Sequence, residues 1–204
     1  MSQRSAPTFA AILLAAGFSS RMGQLKALLP WQNGTLISYQ VQCLKQSGCE
    51  TIVVVLGHRP AEVSTALPVD KFVHAVINEQ YEVGKTTSIK LGLTHVPKNA
   101  DAVVLLAVDQ PRPTPLVAEL LQEFREHCAP ITQPTFAGHR GHPIIFRADL
   151  LPELARIAEE TQGILPIANK YRPQARLVPV DSPIVLLDVN TQADYKEAQA
   201  LWPS

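Results

Sequence analysis

Four apolar runs punctuate the first half of the chain, at residues 9–14, 51–56, 72–77 and 102–108. Three have almost no polar alternation, the pattern of strands buried on both faces of a parallel sheet. Between them the apolar residues fall at helical spacing. Leu36, Ile37, Val41 and Leu44 follow a capping Thr35 and stop at Gly48, which gives a helix with both ends marked. A short helix is predicted from Pro60 to Leu67, another after Gly84 carrying Ile89, Leu91 and Leu93, and a third capped by Thr114 with Leu116, Leu120, Leu121 and Phe124. Strands alternating with helices predict an α/β fold with a mostly parallel sheet and helices on both faces.

Beyond residue 130 the pattern changes. Residues 131–136 and 142–146 flank the loop Ala137-Gly138-His139-Arg140-Gly141, which predicts a small antiparallel hairpin. Helices are expected over 148–160 and 163–170, strands over 175–180 and 184–187, and a closing helix to Leu201. The pair Asn33-Gly34 marks a turn. Thr191 and Asp194 have capping-box spacing.

A chain of 204 residues with 46% apolar and 18% charged content suits one well-buried domain, residues 1–204, with 1–8 expected to be flexible. Lys plus Arg balances Asp plus Glu at 18 each, so no global field favours nucleic acid or a membrane surface. No apolar run approaches the ~20 residues of a bilayer span, and the short polar start has no signal-peptide core. A cytoplasmic location is expected. Cys43, Cys49 and Cys128 lack metal-ligand spacing and are expected to be reduced thiols. There are no internal repeats, no G-x-S-x-G and no cysteine with a convincing catalytic partner.

The most chemically suggestive stretch is residues 14–30, LAAGFSSRMGQLKALLP, which directly follows the first strand. It holds two glycines (Gly17, Gly23), two serines (Ser19, Ser20) and two cations (Arg21, Lys26). A glycine-containing loop at a strand end offers backbone N–H groups to an anion, and fixed cations beside them suit a polyphosphate. Neither a Walker A loop nor a G-x-G-x-x-G fingerprint is present, and an ordinary strand-to-helix connection is the alternative.

The segment L-A-A-G-x-S-x-R-M-G-x-x-K-x-L-L-P resembles the signature of the nucleotidyltransferases that act on the molybdenum cofactor, most of all the molybdenum cofactor cytidylyltransferase branch of the MobA-like NTP transferases. Shorter stretches at 78–92, 108–111 and 141–194 extend the resemblance over most of the chain. It implies a Rossmann-like, GT-A-like nucleotidyltransferase domain: a three-layer sandwich whose mostly parallel sheet carries a small antiparallel hairpin. It also implies a Mg²⁺-dependent enzyme that transfers an NMP to a phosphate acceptor and releases pyrophosphate. The LAAG form points to CTP, the acceptor implied is molybdopterin, and a client molybdoenzyme is the expected partner.

Residue by residue, the resemblance assigns Leu14, Ala15, Ala16, Gly17, Arg21 and Lys26 to the nucleotide, with Arg21 and Lys26 offsetting charge on the leaving pyrophosphate. Asn78 and Ser88 are assigned to the base; on spacing alone Thr86, Thr87 and Ser88 are equally helix caps. Asp109, ending a buried strand, suits a hard cation or a turn before Pro111; the resemblance makes it the metal ligand, although Val108 stands where glycine is usual. His142, in Gly141-His142-Pro143, is the candidate contact to the acceptor phosphate. Asp188 is either a second metal ligand or a turn anchor, and Asn190 replaces a second Asp of the resembling motif. His139 and His142 are not expected to converge as a metal pair, and His58 is expected to be a solvated loop residue.

The run Thr161-Gln162-Gly163-Ile164-Leu165 lacks the Asp and Arg usual in the molybdenum branch. That leaves two further expectations open. One is cytidylyl or guanylyl transfer to another small phosphate, such as a sugar or lactate phosphate. The other is a non-catalytic carrier of cofactor or nucleotide.

Overall fold

The computed structural model describes residues 6–202, so the expected flexibility of residues 1–5 lies outside it. Thr8 is tied down: its backbone N–H donates to the Asp101 carboxylate at 2.8 Å. The strands are β1 (Phe9–Ala15), β2 (Pro30–Trp31), β3 (Gly34–Thr35), β4 (Thr51–Leu56), β5 (Val73–Ile77), β6 (Ala102–Ala107), β7 (Ile131–Phe136), β8 (His139–Arg140), β9 (Ile144–Arg147) and β10 (Arg176–Pro179). The helices are α1 (Leu36–Ser47), α2 (Pro60–Ser64), α3 (Lys85–Thr94), α4 (Thr114–His127), α5 (Leu151–Leu154), α6 (Leu165–Lys170) and α7 (Gln192–Ala200).

The main sheet runs β10-β7-β9-β6-β1-β4-β5, with β8 attached to β7. β1 lies at its centre, pairing in parallel with β4 and β6. β9 is antiparallel to both neighbours, β6 and β7, and β8 folds back on β7 as the expected hairpin.

Period two along β1 builds both core layers. Phe9, Ala11, Leu13 and Ala15 face one way and pack with the apolar stripes of α1, α4 and α7. Ala10, Ile12 and Leu14 face the other way, into a second core with Ile89 of α3, Leu154 of α5 and Ile167 of α6. The result is a three-layer sandwich of helices, mostly parallel sheet and helices. In such sheets the crevice beyond the carboxyl ends of the strands is where ligands bind, and the carboxyl ends of β1 and β6 carry the loop after Ala15 and Asp109.

Thr35 closes a capping box on α1 through Ser38, and Gly48 ends that helix at φ 111°. The expected turn over Trp31–Gly34 joins β2 to β3, with the positive φ of 50° on Gln32. Three expectations need correction. Thr114 is the first residue of α4 and not its cap; Pro113 precedes it and no side chain caps that end. Residues 148–160 are not one helix: α5 ends at Leu154, and Ala158 is extended. That extension lets the Glu159 carboxylate accept from the N–H of Thr86 at 2.6 Å, at the start of α3. Residues 184–187 are not a strand. Pro183–Leu186 forms a 3-10 turn capped by Ser182, and its Val185 carbonyl is claimed by Arg112 and His142 instead of a neighbouring strand.

Candidate active site

The loop after β1 curls over the carboxyl edge of the sheet as two 3-10 turns, Ser20–Met22 and Lys26–Leu28. The Ser19 hydroxyl accepts from the backbone N–H of Lys26 at 3.0 Å, which closes the loop on itself. A Cβ added to Gly17 or to Gly23 would meet no atom, so the glycines border open space. Below Gly17 lies a cavity of about 250 Å³, lined by Leu14, Ala15, Ala16, Gly17, Lys26 and Asp109 and by Ser88 of α3.

Lys26 is the hinge of the charge arrangement. Its Nζ donates to Asp109 Oδ2 at 3.1 Å and to Asn190 Oδ1 at 2.8 Å. The same Asn190 oxygen accepts from Arg21 Nη2 at 3.1 Å. Two cations from the first loop, the carboxylate after β6 and an amide from near the C-terminus therefore meet; Lys26 and Asp109 line the cavity, whereas Arg21, Asn190, His142 and Asp188 do not.

Asp109 sits on a tightly held turn. The Gln40 amide of α1, fully buried, donates to the carbonyls of Ala107, Val108 and Gln110 at 3.0–3.2 Å. Gln110 links that turn to the second expected carboxylate, donating to Asp188 Oδ1 at 2.9 Å. Backbone N–H of Val189 donates to the carbonyl of Asp109 at 2.7 Å. Arg112 is fully buried, and its guanidinium donates to the carbonyls of His142, Pro111, Leu187 and Val185 at 2.7–3.0 Å. Burial lowers its pKa to about 10, with Asp188 and Asp109 opposing the shift, so it remains a cation at neutral pH. It bolts the Asp109 turn, the His142 segment and the 185–187 turn into one unit.

The Asn78 amide donates to the hydroxyls of Thr87 (2.8 Å) and Ser88 (2.9 Å), and its oxygen accepts from the N–H of Gln80 at 3.0 Å. Asn78 is buried behind Ser88 and is not among the cavity's lining residues; Ser88 is. His142 donates its backbone N–H to the Val185 carbonyl. Burial, together with the nearby charges of Arg112 and Lys85, lowers the pKa of its ring to about 4 against the pull of Asp109. The ring is therefore neutral at physiological pH. His139 and His142 form no metal cluster; among the described residues the only grouping of three or more His, Cys, Asp or Glu is Glu123, Glu126 and His127 on α4. No cysteine is paired: Cys43 and Cys49 are buried and Cys128 is exposed.

Sequence reasoning missed several residues. His58 is not simply a solvated loop residue, because it lines the cavity with Tyr81 and Lys85. Phe18 stands 5.1 Å from both the His58 and Tyr81 rings, forming an aromatic rim. Gly57 makes this rim possible, since a Cβ there would lie 2.7 Å from the Ala16 carbonyl and from Tyr81. Gln40 and Arg112 also went unremarked. An Arg beside a strand-end Asp was a usable signal for Arg112; nothing local marked Gln40, which is one polar residue on an otherwise core-facing helix stripe.

A mixed, mostly parallel sheet whose strand-end loop sets cations opposite a carboxylate defines the architecture of a nucleotidyltransferase. The chain belongs to the MobA-like NTP transferase family, whose domain matches residues 11–175. It is 27% identical over 191 residues to the molybdenum cofactor cytidylyltransferase of Escherichia coli strain K12, covering 92% of this chain and 94% of that protein. It is also 27% identical over 172 residues to the nicotine blue oxidoreductase of Paenarthrobacter nicotinovorans, covering 80% and 82%. Among solved structures, Rv0371c of Mycobacterium tuberculosis H37Rv superposes with a TM-score of 0.82 at 27% identity, over 95% of this chain and 98% of that one. Its manganese complex superposes at 0.78, with 26% identity over the same shares. Proteins named for two different activities thus share this scaffold at equal identity, and the chemistry must be argued from the site.

Proposed function

We propose that this chain transfers CMP from CTP to a phosphate group of molybdopterin, releasing pyrophosphate. The observation that carries the proposal is Lys26, held between Asp109 and Asn190 beside Arg21 at the mouth of the cavity. A triphosphate laid over Gly17 would meet both cations, and the acceptor phosphate would approach from the side of His142 and the Asp109 turn.

In the reaction an acceptor phosphate oxygen forms a bond to the α-phosphorus. The bond from that phosphorus to the bridging oxygen breaks, and pyrophosphate leaves with the electron pair. Such a step depends on in-line positioning and charge neutralisation, and it needs no covalent enzyme nucleophile. Arg21 and Lys26 offset the charge that builds on the leaving pyrophosphate. Ser88 already accepts a hydrogen bond from Asn78, which leaves its single proton to donate. That proton suits an acceptor atom of the base, so Ser88 reads the base and Asn78 aims it. Neutral His142 would hydrogen-bond the acceptor phosphate without adding charge.

The site fits a hard divalent cation. Its nearby donors are carboxylate and amide oxygens, with Asp109 half-buried and Asp188 exposed, as Mg²⁺ prefers. When bound, Mg²⁺ held by Asp109 and Asp188 would supply Lewis-acid polarisation of the phosphates. Gln110 engages Asp188 Oδ1, as a turn anchor requires, and the ligand role would use the other oxygen of this exposed carboxylate. A cytoplasmic enzyme delivering product to a molybdoenzyme fits this chemistry, and no described helix is long and apolar enough to cross a membrane.

A second acceptor is favoured by one observation. The run Thr161–Leu165 lacks the Asp and Arg of the molybdenum branch, its Thr161 and Gln162 are exposed on the strap that carries Glu159 to α3, and a strap without those charges suits another small phosphate. Pyrophosphate release with CTP and Mg²⁺, measured with molybdopterin and separately with a panel of sugar and hydroxyacid phosphates, tests the choice. Turnover only with the panel would replace the acceptor but not the reaction. A non-catalytic carrier would release no pyrophosphate with any of them.

A further inference from the structure

Asn190 lies 169 positions from Arg21 and 164 from Lys26, yet one of its atoms contacts both. An amide oxygen has two lone pairs and no charge, so it can accept from two cations without cancelling either. Both cations are long and rotamer-rich, and fixing them before an anion arrives lowers the entropy lost on binding.

The backbone that carries this amide is fixed from both sides. The N–H groups of Asn190 and Thr191 donate to Asp194 Oδ2 at 2.9 and 2.8 Å, and the N–H of Asp194 donates to Thr191 Oγ1 at 3.2 Å. This capping box anchors Asn190 to the start of α7. On the other side, fully buried Val189 donates its N–H to the Asp109 carbonyl. The backbone of Asn190 is therefore held in register with the turn of Asp109, the carboxylate that Lys26 also contacts.

We infer that Asn190 is the positioning residue of the phosphate site, a neutral clamp that gathers Arg21 and Lys26 toward a polyphosphate while leaving their charges unspent. The inference rests on the reading of Arg21 and Lys26 as polyphosphate ligands. A carboxylate at the same place would hold the cations equally well in space, but it would compete with phosphate for them and attract a divalent cation.

The test is titration calorimetry of the full chain with inorganic pyrophosphate and, separately, with Mn²⁺ alone, on wild type, Asn190→Asp and Asn190→Ala. Wild type binds pyrophosphate. Asn190→Asp weakens pyrophosphate by about tenfold or more, because its carboxylate competes with phosphate for the two cations, and tightens Mn²⁺. Asn190→Ala weakens pyrophosphate and leaves Mn²⁺ affinity unchanged. A merely structural role would weaken both ligands in both variants, and that outcome overturns the inference, as does unchanged pyrophosphate affinity in either. If Asn190→Asp does not fold, Asn190→Ala decides by the same criterion. Failure of wild type to bind pyrophosphate would instead overturn the polyphosphate reading itself.

Discussion

Lys26 Nζ and Asp109 Oδ2, 83 positions apart in sequence, meet at 3.1 Å with side chains only 11% and 28% exposed. At an effective dielectric constant of about 20, that separation gives a gross attraction of roughly 5 kcal/mol, much of it offset by desolvation. The pair sets the ammonium where it neutralises the carboxylate proposed to hold the cation. A metal without nucleotide must compete with Lys26, whereas a triphosphate that draws Lys26 away exposes Asp109.

Lys26→Ala should therefore lower turnover by roughly 10²–10³-fold, the usual cost of removing one fixed charge-stabilising group. It should leave the circular dichroism spectrum near that of wild type. The same variant should bind Mn²⁺ without nucleotide more tightly than wild type does. Unchanged turnover would mean that the loop after β1 has been misassigned.

Arg112 tests the frame behind the site. Arg112→Met leaves the carbonyls of His142, Pro111 and Leu187 without this donor, and that of Val185 with only the His142 N–H. Stability in urea should fall by roughly 3–5 kcal/mol, as for other disrupted buried charged networks. A loss below about 1 kcal/mol, the worth of one ordinary hydrogen bond, would show that those carbonyls find other partners.

His142 gives a pH signature. Its folded-state pKa of about 4 lies below the ordinary 6.5, because burial and the charges of Arg112 and Lys85 disfavour the imidazolium. The unfolded chain takes up this proton first as pH falls, so the contribution to stability is complete above about 6.5 and is lost progressively down to about 4. The loss from this group is at most on the order of 3 kcal/mol. Denaturation midpoints between pH 7 and 4.5 should fall less steeply in His142→Gln than in wild type. Identical slopes would contradict the depressed value.

Asn78 and Ser88 separate aiming from contact. Ser88→Ala should raise KM for CTP by about tenfold, the worth of one hydrogen bond to a polar base edge. Asn78→Leu should do the same without touching the nucleotide, by freeing the Thr87 and Ser88 hydroxyls. A nucleotide KM unchanged by both substitutions would remove them from base recognition.

Much of this architecture was legible along the chain. Buried parallel strands announce themselves as unbroken apolar runs, so β1, β4 and β6 were placed within a residue or two, and the capping residues Thr35 and Thr191 did what their chemistry predicts. The failures lie where a long-range partner overrides local preference. Residues 151–160 have a helical pattern, but Glu159 is pulled to the start of α3. Residues 184–187 are β-prone, but their carbonyls belong to Arg112. In the site, the cations and Asp109 were visible as a loop and a strand end. Asn190 stood out only as a replacement for an Asp and His58 only as a loop residue, and Gln40, Phe18 and Tyr81 did not stand out, because each acquires its role from residues distant in sequence.

The central claim is nucleotidyl transfer at the cavity below Gly17. Its most direct measurement is pyrophosphate release by the purified chain with Mg²⁺, molybdopterin and each of the four NTPs in turn. Release with CTP, abolished in Asp109→Asn, is the predicted result. Turnover with GTP but not CTP would contradict the nucleotide assignment, and no release with any NTP would contradict the reaction.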